Sequence, residues 1–166
     1  MNADAELGRL VEERAILEVL NRYCRGIDRL DEELIRSCYH EDSTDDHGVY
    51  KGRGIDFAAF VVRVLGKAFT STMHTLGQSI VDWEGVAKVR AETYVVARHR
   101  REEGEGEMLE TVGARYVDRL EKRAGEWKLS DRIVVYEWGT AEPVRSMLPT
   151  EEFVHGLRSK GDPAYG

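Results

Sequence analysis

A change of hydrophobic period near residue 72 constrains this chain more than any other feature. Before that point the apolar residues recur at helical spacing. Leu7, Leu10, Val11, Leu17, Leu20, Cys24 and Ile27 form one stripe, because residues three, four and seven apart share a helix face. Gly26 and the run RLDEE predict the end of that helix and the start of another. Asp31 is the expected N-cap of Glu32–Tyr39, with Leu30 before it as a staple residue. A turn-rich stretch, HEDSTDDHG, follows. Ile55–Phe69 predicts a third helix, entered through the turn Gly52-Arg53-Gly54.

After residue 72 the period is two. Val89, Ala91, Thr93, Val95, Ala97 and His99 share one strand face, with Lys88, Arg90, Glu92 and Arg98 on the other, interrupted by Tyr94 and Val96. REEGEGE reads as a hairpin loop, and Arg123–Glu126 as a second turn. His74–Trp83, Val89–His99, Met108–Glu121 and Trp127–Trp138 thus give a meander of four long strands, to which a short element near Thr44–Val49 adds another. Helices first and a meander after predict an α+β fold, with the N-terminal helices packed on a strongly curved antiparallel sheet. Such an arrangement forms a cone whose open end is an internal pocket. Residues 1–140 make up this domain, and residues 141–166 a tail that is a lid or an arm to a neighbouring subunit.

The chain of 166 residues is 42% hydrophobic and 33% charged, enough apolar content for one real core. Its formal net charge is −7. A mildly acidic chain without a basic block matches neither nucleic acid nor anionic lipid. The longest apolar run, Phe57 to Val62, is far short of the ~20 residues of a membrane span. MNADAELGRL has neither a cationic start nor an apolar signal segment, so a cytoplasmic protein is expected, with Cys24 and Cys38 as reduced, buried thiols.

A few residues stand apart from this patterning. Asp28 continues the helical stripe at the C-terminal end of the first helix, where the macrodipole disfavours negative charge. It either turns outward, helps cap the next helix, or points into the pocket. His74 shares a strand face with Leu76 and Ile80; it is a hydrogen-bonded core histidine unless an acidic partner lies within reach. Arg132 alternates with Val134, Tyr136 and Trp138, either reaching solvent past the sheet edge or clamping an anion inside the cone. His99 ends the apolar face of its strand. His47 sits in the DDHG turn, and Tyr23 packs as an aromatic. The HEDSTDDH cluster lacks a second, spaced ligand group, so no metal is expected, and an acidic turn of this kind is usually solvated. There is no GxSxG, P-loop or CxxC, and GEGEML links two strands and opens no helix, so it is not a dinucleotide fingerprint.

In this order the residues resemble the SnoaL-like branch of the nuclear transport factor 2-like superfamily. The resemblance is carried by ILEVLNRYCRGIDRLDEELIRSCYHEDSTDDHGVYKG, TMHTLGQSIVDWEGVAKVRAETYVVARH and ARYVDRLEKRAGEWKLSDRIVVYEW, and covers roughly Leu10 to Trp138. Within the superfamily the pattern is most similar to scytalone dehydratase, hexachlorocyclohexane dehydrochlorinase and bile acid 7-alpha-dehydratase enzymes. Those enzymes use an Asp–His dyad in a cone-shaped pocket without a cofactor. The resemblance implies that Asp28, in RYCRGID, and His74, in TMHTLG, are the catalytic pair. It implies substrate-binding roles for Tyr23, Arg132, His99 and His47.

The implied function is a cofactor-independent lyase, of the dehydratase type, acting on a hydrophobic aromatic or alicyclic small molecule. The same pocket in relatives serves isomerisation, hydroxylation or ring closure, and some members only bind ligands or partners. The two classes differ in one distance: an enzyme needs the Asp28 carboxylate within about 2.6–3.2 Å of an imidazole nitrogen of His74, whereas a binding module leaves the side chains apart. Apolar residues on both faces of the last strand (Trp127, Leu129 and Ile133 against Val134, Tyr136 and Trp138) predict a homo-oligomer. Relatives point to a trimer before a dimer.

Overall fold

The computed structural model describes residues 2–145 and 148–166. The chain order is α1 (Ala3–Arg29), α2 (Glu32–Ser37), β1 (Tyr39–Asp46), β2 (Lys51–Arg53), α3 (Gly54–Ala68), β3 (Ser71–Gly85), β4 (Lys88–Glu103), β5 (Gly106–Arg123) and β6 (Glu126–Pro143), followed by a tail with a 3₁₀ turn at Pro163–Tyr165. No helix among the described residues is long and apolar enough to cross a membrane.

Helix α1 starts on Asn2, whose side chain accepts from the Asp4 N–H, and ends at Leu30 in the left-handed conformation (φ 53°). Gly26 does not end it. A Cβ at Gly26 would lie 2.7 Å from Cγ1 of Ile35, so this glycine lets α2 fold back closely against α1. Asp31 caps α2 by accepting from the Leu34 N–H at 3.1 Å. The helix stops at Ser37, two residues before the expected end, because Tyr39 is already paired with Leu129 of β6.

HEDSTDDHG is not a solvated turn. Its first seven residues belong to β1, with Ser43 and Asp45 buried. This strand joins the long meander at its other edge, giving a six-stranded sheet in the order β2-β1-β6-β5-β4-β3. The sheet is mixed, since β1 runs parallel to β6 while all other neighbours are antiparallel. Register shifts at Leu76/Ser79, Gly113/Ala114 and Arg119/Leu120 sharpen the local twist, and the sheet curls around the helices without closing.

The same irregularities break the alternation of β6. Trp127 and Leu129 face the core; after the shift Arg132 is buried and Ile133 lies outside, 45% exposed. Ile133 therefore does not share a face with Trp127 and Leu129 as strict alternation predicts.

The core lies between the concave side of the sheet and the helices. Ile16, Val19, Leu20, Tyr23, Cys24 and Ile27 of α1 pack in one cluster with Val89, Ala91, Val95, Tyr116 and Leu120. Leu7, Leu10 and Val11, the start of the predicted stripe, are instead more than half exposed. Both cysteines are free and buried, and burial pushes the Cys24 thiol up to about 12, so it stays protonated.

Candidate active site

The curled sheet and the helices leave a cavity of about 180 Å³. Its wall is largely apolar, including Ile27, Phe57, Val61, Leu65, Val95 and Val134. Into it come polar groups from three directions: Tyr23 from α1, His47 from the loop after β1, and His74 and His99 from β3 and β4.

Asp28 turns inward. It stands on the last turn of α1, 9% exposed, and both carboxylate oxygens bind one residue. Oδ1 accepts from Nδ1 of His74 at 2.7 Å, and Oδ2 accepts from the His74 backbone N–H at 2.9 Å. The carboxylate thus fixes the ring and the strand beneath it together. Since a carboxylate only accepts, this contact selects, for a neutral His74 ring, the tautomer with its proton on Nδ1 and its lone pair on Nε2.

His99 neighbours this pair, its ring edge-on to that of His74 with centroids 5.6 Å apart. Its other ring neighbour is Phe69, at 4.9 Å. Burial, with the neighbouring His74 acting in the same direction, pulls His99 down to about 4, so its imidazole is neutral at physiological pH.

A second acidic–imidazole pair lines the same cavity. Nδ1 of His47 contacts Oδ1 of Asp45, and Nε2 of His47 lies 3.1 Å from the Tyr23 hydroxyl. The His47 ring stacks on Phe57 with centroids 4.1 Å apart. The other Asp45 oxygen accepts from the Tyr39 hydroxyl at 2.5 Å. Burial holds the Tyr23 hydroxyl well above its ordinary range, with Arg132 opposing, so Tyr23 remains a proton-bearing phenol.

Arg132 is placed differently from expectation. It neither reaches solvent nor lines the cavity. Its Nε and Nη2 each donate to Asp118 at 2.7 Å, and both side chains are fully buried. The guanidinium carbon lies 4.1 Å from the Tyr23 ring centroid and 4.0 Å from that of Tyr116. A clamp that touches ligand is ruled out by this enclosure; Arg132 instead supports the two tyrosines from behind. Burial raises the Asp118 carboxyl more than Arg132 lowers it, while Asp118 and the neighbouring tyrosines keep Arg132 well above the usual range.

Asp28, His74, Tyr23, His47 and His99 are therefore brought together, and Arg132 is not. Sequence reasoning missed Asp45, Tyr39 and Asp118. A signal for Asp45 was present, because Asp45 and His47 are only two residues apart, near enough in the chain for the acid to meet the imidazole where the strand ends. The acidic surroundings hid it.

Helices covering a curled, mixed sheet around an internal cavity define a cystatin-like α+β fold. The chain belongs to the SnoaL-like domain family, whose sequence profile matches residues 8–133. Among solved structures it is similar to a scytalone dehydratase-like protein of Novosphingobium aromaticivorans, with 22% identity, 88% of this chain and 97% of that one covered, and a TM-score of 0.71. It is similar to the hexachlorocyclohexane dehydrochlorinase LinA-type3 of Novosphingobium barchaimii, at 22% identity, 87% and 99% coverage and a TM-score of 0.73. A protein of unknown function with a cystatin-like fold from Nostoc punctiforme matches at 18% identity, 76% and 92% coverage and a TM-score of 0.60. At these identities the likeness is one of fold. No curated protein is matched by the sequence.

Proposed function

We propose that this protein is a lyase that needs no cofactor and eliminates water, or another small leaving group, from a ring-bearing hydrophobic molecule. The observation that carries the reading is the 2.7 Å contact between Asp28 and Nδ1 of His74 at the wall of an apolar cavity. A binding module has no use for a carboxylate spent wholly on orienting one imidazole. An acid–base catalyst needs that orientation, because it presents a free Nε2 lone pair to the substrate.

In this scheme Nε2 of His74 removes a proton from substrate carbon, and Asp28 stabilises the imidazolium that forms. The leaving oxygen departs toward Tyr23. Where His47 carries both ring protons, its Nε2–H points at the Tyr23 oxygen and frees the phenolic proton for the leaving group. The proton count closes: His74 gains one, the Tyr23–His47 pair loses one, and the substrate loses water as its carbon–carbon bond becomes double. Neutral His99 contributes a hydrogen bond without adding a competing charge beside His74. The size of the cavity suits a single substituted ring, since an apolar cavity of ~150 Å³ holds benzene. Similarity to a dehydrochlorinase and to a scytalone dehydratase-like protein supports elimination as the reaction class.

The test is turnover of ring-bearing secondary alcohols by the wild type and by His74→Ala. General acid–base catalysis contributes ~10²–10⁴-fold, so His74→Ala should lose at least that much. A variant that stays fully active on a true substrate refutes the scheme.

A further inference from the structure

The cavity holds more than proton abstraction requires. Asp28 and His74 suffice as a base, yet Tyr23 and His47 also line the wall, and a buried carboxylate, Asp45, stands behind them. Burying a carboxylate is costly unless donors or a cation answer it. The cross-strand neighbour of Asp45 is Arg132, but that guanidinium is bound to Asp118. Asp45 instead accepts from the Tyr39 hydroxyl on Oδ2 at 2.5 Å and meets Nδ1 of His47 with Oδ1. Among the described residues, His47 is the one partner of Asp45 able to carry a positive charge.

This contact fixes which atom of the His47 ring exchanges protons. A carboxylate only accepts, so Nδ1 keeps its proton whether the ring is neutral or charged. Nε2, 3.1 Å from the Tyr23 hydroxyl, is the atom that gains or loses one. Stacking on Phe57, with centroids 4.1 Å apart, holds the ring plane. Tyr23 by itself is a reluctant acid, because burial holds its hydroxyl well above the ordinary range. It gives up a proton readily when another arrives at the same oxygen, and Nε2–H of a doubly protonated His47 supplies one.

From this geometry we infer that Asp45 is the positioning residue of an acid relay, Asp45–His47–Tyr23, and that the leaving group this cavity serves is a hydroxyl, which makes the substrate an alicyclic alcohol. The inference rests on the elimination proposed above and chooses its leaving group. Hydroxide is a poor leaving group in apolar surroundings and must be protonated as it departs, whereas chloride leaves with its electron pair and needs no acid. As the substrate C–O bond breaks, its oxygen takes the phenolic proton of Tyr23 and water forms. The Tyr23 oxygen takes the Nε2 proton of His47, which stays neutral with its other proton on Nδ1 beside Asp45. Solvent restores that proton and receives the one that His74 removed from carbon.

The test uses the full chain with 3-hydroxycyclohexanone and 3-chlorocyclohexanone. These lose water and hydrogen chloride to give the same enone, which is followed by its ultraviolet absorbance. Asp45→Asn keeps the shape and removes the charge; it should slow the loss of water about 10²-fold and leave the loss of hydrogen chloride nearly unchanged. Tyr23→Phe should show the same split, whereas His74→Ala should slow both reactions. An equal fall on both ketones in Asp45→Asn, as a merely structural role would give, overturns the relay, and so does an undiminished loss of water. Nitrogen-15 NMR of the wild type in alkaline buffer gives a readout without turnover and without a variant. His47 should be protonated at Nδ1, and a proton on Nε2 alone overturns the assignment. Absence of the split, with His74→Ala still slow on both ketones, sinks the relay and leaves the His74 scheme standing. Conversion of neither ketone by the wild type sinks the elimination and the choice of an alcohol with it.

Discussion

Replacing Asp28 by asparagine removes one charge and almost no volume, which makes it a sharp probe of the site. The carboxylate now answers two donors, the Nδ1–H of His74 at 2.7 Å and its backbone N–H at 2.9 Å. Asparagine has a single acceptor oxygen. If that oxygen keeps the backbone N–H, the amide NH₂ faces Nδ1, which must then give up its proton to become an acceptor. The imidazole proton moves to Nε2, the atom required as base. By analogy with other acid–imidazole pairs held in the wrong tautomer, turnover should fall by about 10⁴-fold, or about 5 kcal/mol of barrier. The folded state should lose only the charge-assisted component of one contact, about 1.5–3 kcal/mol. Nitrogen-15 NMR reads the tautomer directly without a substrate: the wild type should show His74 protonated at Nδ1, and Asp28→Asn should show it at Nε2. A variant that retains the Nδ1–H tautomer, or turns over within tenfold of the wild type, refutes this reasoning.

Other consequences follow from the same structure. The imidazole of His99 titrates at about 4 in the folded protein against ~6.5 unfolded, so between those values acid protonates the unfolded chain preferentially. Stability is lost as pH falls through that window, by up to about 3 kcal/mol, and chemical denaturation at pH 7 and pH 4 should show a smaller acid loss in His99→Gln than in the wild type. Asp118→Ala strands the buried Arg132 charge and should cost about 3–5 kcal/mol, whereas Asp118→Leu combined with Arg132→Met should cost far less; thermal melts distinguish the two. Gly54→Ala puts a Cβ 2.2 Å from Cδ1 of the buried Tyr39 and should destabilise by about 1–3 kcal/mol in urea melts. Light scattering should give a trimeric mass, and a monomer would contradict the self-association expected from the apolar outer strands, where Trp138 and Ile133 are about half exposed.

The sequence alone determined the order of the long elements, because periods of 3.6 and 2 follow from backbone geometry; β1, read as a turn-rich stretch, and the broken alternation of β6 were decided by strand pairing. It also placed Asp31 as a cap and both cysteines in the core. Resemblance, more than pattern, selected Asp28 and His74, since an acid at a helix end and a histidine on a strand each have an ordinary local explanation. Tertiary structure decided which of those explanations holds. Asp28 turns inward because α1 crosses β3 at that turn, bringing the carboxylate to both donors of His74. Arg132 could not be placed from β6 alone: its partner Asp118 lies on β5, and a register shift between the strands brings the two together. The partners of Asp45, His47 and Tyr39, are near it in sequence, but the strand that carries it pairs in parallel with β6, a contact between chain segments some 85–90 residues apart that no local pattern encodes. Local propensity specifies a residue's element and face, whereas pairing of distant side chains is a property of the packed sheet and helices as a whole.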